Sequence, residues 1–148
     1  MSRLGPQPEG PGPDARAVEA ANAELYAAFE EGDLDRMEEL WVGGPFADSA
    51  VCVHPGSPPL RGREEVLRSW TLLMANFPYV QVVLTDVDVS VAGDVAVVTC
   101  AENTLAGEGD REISFDYGGR VAVTNVFRRT EEGWRLWIHH GSPVLSDP

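Results

Sequence analysis

Residues 80–91 read VQVVLTDVDVSV, and the phase of their apolar positions decides the fold. A strand turns successive side chains to opposite faces, so a half-buried strand keeps one parity. Here Val80, Val82 and Leu84 are even, while Val87, Val89 and Val91 are odd. One inserted residue reverses the parity, which predicts a β-bulge near Thr85 and a strand that bends there. The chain then turns at Ala92-Gly93-Asp94 and returns as a strand over Val95–Leu105. Gly107–Asp110 reads as a polar loop and Arg120–Arg129 as another strand. The hairpin turn Thr130-Glu131-Glu132-Gly133 leads into a last strand, Trp134–Val144.

Upstream of this meander the period changes to helical. Residues 1–13 hold four prolines and three glycines and offer nothing to bury, so they are expected to form a disordered tail. Order is expected from Asp14, an N-cap, with one domain spanning residues 14–148. Val18, Ala21, Leu25, Ala28 and Phe29 recur at helical spacing up to a C-cap at Gly32. Asp33 restarts a short helix with Leu34, Met37, Leu40 and Trp41 on one face. A strand over Ser49–His54 is closed by the Pro/Gly/Ser-rich stretch 55–62. A third helix runs from Arg63 to Phe77, with Val66, Trp70, Leu73, Met74 and Phe77 as its stripe, and Pro78 stops it. Three helices followed by long antiparallel strands define an α+β domain with the helices on one face of the sheet. A bulged sheet curls, so the expected architecture is a cone-shaped α+β barrel: three N-terminal helices on a strongly curved, mostly antiparallel sheet.

Composition narrows the function classes. The 148 residues carry 24 acidic and 11 basic side chains, a net charge of −13. Nucleic acid and anionic membranes both require a basic surface, so neither is an expected partner. All basic side chains are Arg, which with abundant Ala, Gly, Val and Pro suggests a GC-rich bacterial coding sequence. The N-terminus MSRLGPQPEGPGPDA has no apolar signal core, so a cytoplasmic location is expected. Cys52 and Cys100 read as free buried thiols. Neither His-x-His nor Cys-x-x-Cys spacing occurs, and no metal or other cofactor is expected.

Four segments carry a resemblance: LYAAFEEGDLDRMEELW, VCVHPGSPPLRGREEVLRSW, TNVF and GWRLWIHHGSPV. With the order of elements, they resemble the nuclear transport factor 2-like superfamily, and within it the SnoaL-like branch. The resemblance covers about Ala15 to Val144. That superfamily includes isomerases, polyketide cyclases, hydrolases and non-catalytic assembly domains, so it fixes a fold before a function. Its ketosteroid isomerase members imply three positions. Their general-base Asp, before a proline at the end of the first strand, corresponds to His54 in His54-Pro55-Gly56. Their second acid falls at Asn125 in Thr124-Asn125-Val126-Phe127. Their oxyanion Tyr falls at Leu25, one residue before Tyr26. None of the three has its usual identity, so steroid isomerisation is not expected, although His54 keeps a titratable group at the base position.

Strand alternation selects the inward faces. Taking His54 and Asn125 as inward gives Cys52, Val123 and Phe127 with them. It also gives Val98, Cys100, Glu102 and Thr104, and on the last strand Leu136, Ile138, His140 and Ser142. The expected pocket therefore groups His54, Glu102, Asn125, His140 and Ser142 within a wall of Cys52, Cys100, Trp41, Trp70, Phe77 and Phe127. His54 and Glu102 are the catalytic candidates, expected as a hydrogen-bonded pair, and the others contact a small molecule. The reading is proton transfer, by isomerisation or aldol-type cyclisation, on a small apolar or polyketide-like substrate. A non-catalytic ligand-binding or dimerisation module with the same pocket is the alternative. Arg135, Trp137 and His139 on the opposite face, beside Ala122, Thr124 and Val126, predict a homodimer through the outer sheet.

Overall fold

The computed structural model describes residues 12–107 and 120–145. The expected tail, apart from Gly12 and Pro13, and most of the expected polar loop at 107–110 lie outside the described residues. Helix α1 spans Pro13–Glu31, with Gly12 as N-cap and Pro13 in its first turn, where a missing N–H does no harm. Asp14 is not the cap. Its carboxylate instead accepts from Arg129 Nη1 and Nη2 at 3.0 and 2.9 Å, tying the start of α1 to the sheet. Gly32 ends α1 at φ +64°, the left-handed conformation that a side chain disfavours. Asp33 caps α2 (Leu34–Leu40), its Oδ1 accepting from the Arg36 N–H at 3.2 Å. A short 3-10 turn, Gly44–Ser49, precedes strand β1 (Val51–Val53). Strand β2 (Leu60–Arg61) pairs back on β1, and α3 (Arg63–Asn76) follows.

The long strands are β3 (Tyr79–Ala92), β4 (Val95–Gly107), β5 (Arg120–Thr130) and β6 (Gly133–Pro143). They form an open six-stranded sheet in the order β2-β1-β6-β5-β4-β3. All neighbours are antiparallel except β1 and β6. The register of β3 on β4 shifts between Thr85 and Asp88, where the parity change required a bulge. The sheet is curved and unclosed, and the helices pack on it as an α+β cone. The core beneath them is led by Leu25, Met37, Trp41, Phe127 and Leu136, all essentially inaccessible. Each such side chain stabilises the fold by roughly 1.5–3 kcal/mol through burial.

A second bulge, in β6, changes which residues face inward. Val126 pairs with Ile138 and Phe127 with Leu136, so Trp137 has no partner across the ladder. Alternation therefore slips by one beyond Leu136. His139 and Gly141 are buried, whereas His140 and Ser142 are exposed. The expectation that His140 and Ser142 face the pocket is corrected by this extra residue, and so is the placing of His139 on the outer face. Trp137 lies edge-on to Phe46 of the 3-10 turn, with centroids 5.9 Å apart, and donates to Ser49 Oγ at 2.8 Å.

Candidate functional site

A half-open cavity of about 240 Å³ lies between α1, α3 and the concave side of the sheet. Its apolar lining includes Phe29, Trp70, Leu73, Phe77, Val80 and Val82. Its polar lining is Tyr26, His54, Ser57, Glu102, Thr104 and His139. Two larger surface grooves are bordered mainly by charged side chains and are open to solvent. A small apolar cup with a few convergent polar groups is the usual form of a small-molecule site.

The expected catalytic residues His54 and Glu102 both line this cavity, but among the described residues no hydrogen bond joins them. His54 Nε2 lies 2.9 Å from Ser69 Oγ, one turn along α3 from Val66. The Ser69 hydroxyl donates to the Val66 carbonyl at 2.7 Å, so the imidazole is the donor to Ser69. Burial pushes His54 down to about 4 and keeps the ring neutral. Cys52 Sγ lies 3.5 Å from Nε2, yet burial pushes that thiol up to about 12. A neutral thiol beside a neutral imidazole is not an activated nucleophile.

Glu102, on β4, is pushed up to about 7 by burial, against the hydroxyl of Tyr26, which favours its ionised form. Tyr26 on α1 is itself raised well above its usual range, by burial first and then by the Glu102 charge. A buried polar chain runs behind the lining and joins Tyr26 to His139. Asn125 Nδ2 donates to Asn22 Oδ1 at 2.8 Å and to Tyr26 Oη at 3.3 Å. Asn125 Oδ1 lies 2.6 Å from His139 Nδ1. Burial, then the neighbouring imidazoles His54 and His140, hold His139 down to about 3. Trp70 packs edge-on against His54, His139 and Phe29, with ring centroids 5.0, 5.4 and 5.5 Å away.

Of the expected wall, Trp70 and Phe77 line the cavity. Trp41, Phe127, Cys52, Cys100 and Asn125 face inward but lie behind the lining, packed into the core. Asn125 is fully buried and its amide is taken by protein groups, so it is not a ligand contact. Sequence reasoning missed Asn22, Tyr26, Ser69 and His139. A signal existed for two of them: Asn22, Tyr26 and Phe29 are spaced i, i+4, i+7 on one face of α1.

The fold is that of a SnoaL-like domain, a member of the nuclear transport factor 2-like class. The chain matches the SnoaL-like domain family over residues 18–146 and belongs to it. It is 50% identical to a candidate dehydratase of the NTF2-like family from Streptomyces avermitilis, with a TM-score of 0.81 over 90% of this chain and 97% of that one. It is 29% identical to a candidate calcium/calmodulin-dependent protein kinase type II association domain from Thiobacillus denitrificans, with a TM-score of 0.72 over 93% and 99% of the two chains. It is also 26% identical, over 132 residues and 89% of its length, to the F-box protein SKIP8 of Arabidopsis thaliana. The chain spans about half of that protein, 52% of its length. Among the described residues, no helix is long and apolar enough to cross a membrane.

Proposed function

We propose that the cavity binds a small, uncharged, largely apolar molecule and that Glu102 moves a proton on it. The observation that carries this reading is the state of Glu102: it is the one carboxyl among the described lining residues, and burial brings it to about 7. No Arg is among those residues, so nothing there neutralises a substrate carboxylate or phosphate. A group that titrates near neutral pH serves as both base and acid. As a carboxylate, Glu102 takes the proton from a carbon next to a carbonyl. As an acid, it returns that proton to another atom.

Return to a different carbon gives isomerisation, and attack of the enolate on a second carbonyl gives aldol-type cyclisation. Return to a hydroxyl β to the carbonyl gives dehydration. In that case the C–H pair becomes the C=C bond, the C–O bond breaks, and the oxygen leaves as water. Glu102 ends ionised, as it began. The 50% identity to a candidate dehydratase supports the last of these. His54 and His139 are held neutral by burial and add no charge to the cavity.

The test is exchange of α-protons in deuterated water, followed by proton NMR on a bicyclic hydroxy ketone such as 6-hydroxy-2-tetralone. Wild-type protein is expected to accelerate exchange, and Glu102→Gln to lower the rate about 100-fold or more. His54→Ala should stay within about tenfold of wild type, because His54 makes no bond to Glu102. Equal exchange by wild type and Glu102→Gln overturns the assignment. Saturable binding of the ketone without any exchange favours the non-catalytic binding module.

The outer sheet face supports a second proposal, a homodimer. Thr99, Ala122, Thr124, Ser142 and His140 are exposed there, and among the described residues no helix covers them. Two copies of a chain with net charge −13 meet at lower electrostatic cost through these five residues, none of which is acidic.

A further inference from the structure

The buried chain Glu102, Tyr26, Asn125, His139 has a direction. An ionised Glu102 needs a donor, and the Tyr26 hydroxyl is the group beside it. With its proton turned to Glu102, Tyr26 Oη accepts from Asn125 Nδ2. That orients the amide, because Asn125 Nδ2 also donates to Asn22 Oδ1. Asn125 Oδ1 is then an acceptor 2.6 Å from His139 Nδ1, so the imidazole proton sits on Nδ1. Among the described residues nothing hydrogen-bonds His139 Nε2, and the ring lines the cavity.

We infer that Asn125 is a positioning residue that holds the His139 proton on the side away from the cavity, so that Nε2 meets the bound molecule as a bare acceptor and selects a ligand carrying a hydroxyl. This rests on the proposed use of the cavity as a small-molecule site, and it deepens that reading by naming the group the ligand must bring. An ether, a halide or a ketone oxygen has no proton to give and leaves Nε2 unsatisfied, which is the stronger part of the discrimination.

Two measurements test it. The first titrates the full chain with 2-naphthol and with 2-fluoronaphthalene, which has nearly the same shape and lacks the donor. The hydroxyl compound is expected to bind about tenfold more tightly to wild type. That preference should shrink to about twofold or less in His139→Phe and in Asn125→Leu. The second reads the imidazole nitrogens of wild type at neutral pH by two-bond proton–nitrogen correlation NMR. A protonated Nδ1 and a bare Nε2 on His139 are expected, with the Nε2 resonance moving when 2-naphthol is added. Asn125→Leu should lose the single tautomer. Where that variant does not fold, the wild-type spectrum and the probe pair still decide.

An Nε2-protonated ring in wild type, or equal binding of the two naphthalenes, overturns the inference. Repeating the probe pair on Glu102→Gln separates it from the catalytic reading. If the hydroxyl preference persists while α-proton exchange is absent, the inference stands and only the proton-transfer role of Glu102 fails. The Gln oxygen still accepts from Tyr26 and keeps the direction of the chain, so a preference that disappears in Glu102→Gln while His139 Nδ1 stays protonated overturns the inference.

Discussion

His54 Nε2 and Ser69 Oγ are 2.9 Å apart, and Ser69 passes the bond on to the Val66 carbonyl of its own helix at 2.7 Å. The imidazole at the end of β1 is thereby fastened to α3, the helix that supplies Trp70, Leu73 and the neighbouring Phe77 to the cavity. His54 is an anchored neutral donor, and Glu102 is the carboxyl among the described lining residues, raised by burial to about 7.

Removing that anchor tests its structural share. Ser69→Ala leaves a half-buried imidazole N–H without its partner and is expected to lower unfolding stability by about 1–2 kcal/mol. Urea unfolding of the two proteins measures this. A variant as stable as wild type means the bond contributes nothing.

The acid–base groups make opposing contributions to stability. His54 and His139 have folded values of about 4 and about 3, below the usual 6.5, so the unfolded chain binds more protons between those limits. Their share of stability is lost as pH falls below 6.5. Glu102 is raised from 4.5 to about 7, so the folded chain binds the extra proton, and that share is lost as pH rises through 7. Glu102→Gln removes the second loss. Relative to wild type it should gain on the order of 2 kcal/mol between about pH 5 and about pH 8. Denaturant unfolding at both pH values measures the gain, and a pH-independent difference contradicts it.

Gly141 makes room for Pro55, in the turn that follows His54. A Cβ built on it meets Val121 Cγ1 at 3.1 Å and Pro55 Cγ at 3.3 Å, and both residues line the cavity. Gly141→Ala is expected to cost about 1–3 kcal/mol and to weaken ligand binding by displacing Pro55. Calorimetric melting with a parallel 2-naphthol titration checks both. Unchanged affinity shows that the wall accommodates the methyl group.

Light scattering at micromolar concentration is expected to give twice the 16.1 kDa chain mass. Thr124→Glu, on the exposed face of β5, should reduce it to the monomer by placing like charges at the two-fold contact. A monomeric wild type contradicts the proposed dimer.

The fold was largely legible because its signals are local. The reversal of parity around Thr85 exposed the β3 bulge, and Gly32 and Asp33 marked the break between α1 and α2. Strand β2 is two residues long and lies in a Pro/Gly/Ser-rich stretch, too short to show alternation. The β6 bulge was hidden for a different reason. Leu136-Trp137-Ile138 are three large apolar residues in succession, so no parity change marks the extra one. Everything beyond it was read one residue out of phase, His140 for His139 and Ser142 for Gly141. Tyr26 lines the cavity one residue beyond Leu25, the position the resemblance implies for an oxyanion Tyr, which is itself buried in the core. Inward faces follow from alternation only as far as the next bulge. The state of a carboxyl such as Glu102 depends on neighbours that alternation does not name.

The most direct test of the account is the ionisation of Glu102, followed by carbon-13 NMR of its side-chain carboxyl between pH 3 and 9. The account predicts a midpoint at about 7, with His54 and His139 still neutral at that pH. A midpoint at the ordinary carboxyl value of 4.5 would contradict it, because burial would then not hold Glu102 between its acid and carboxylate forms near neutral pH.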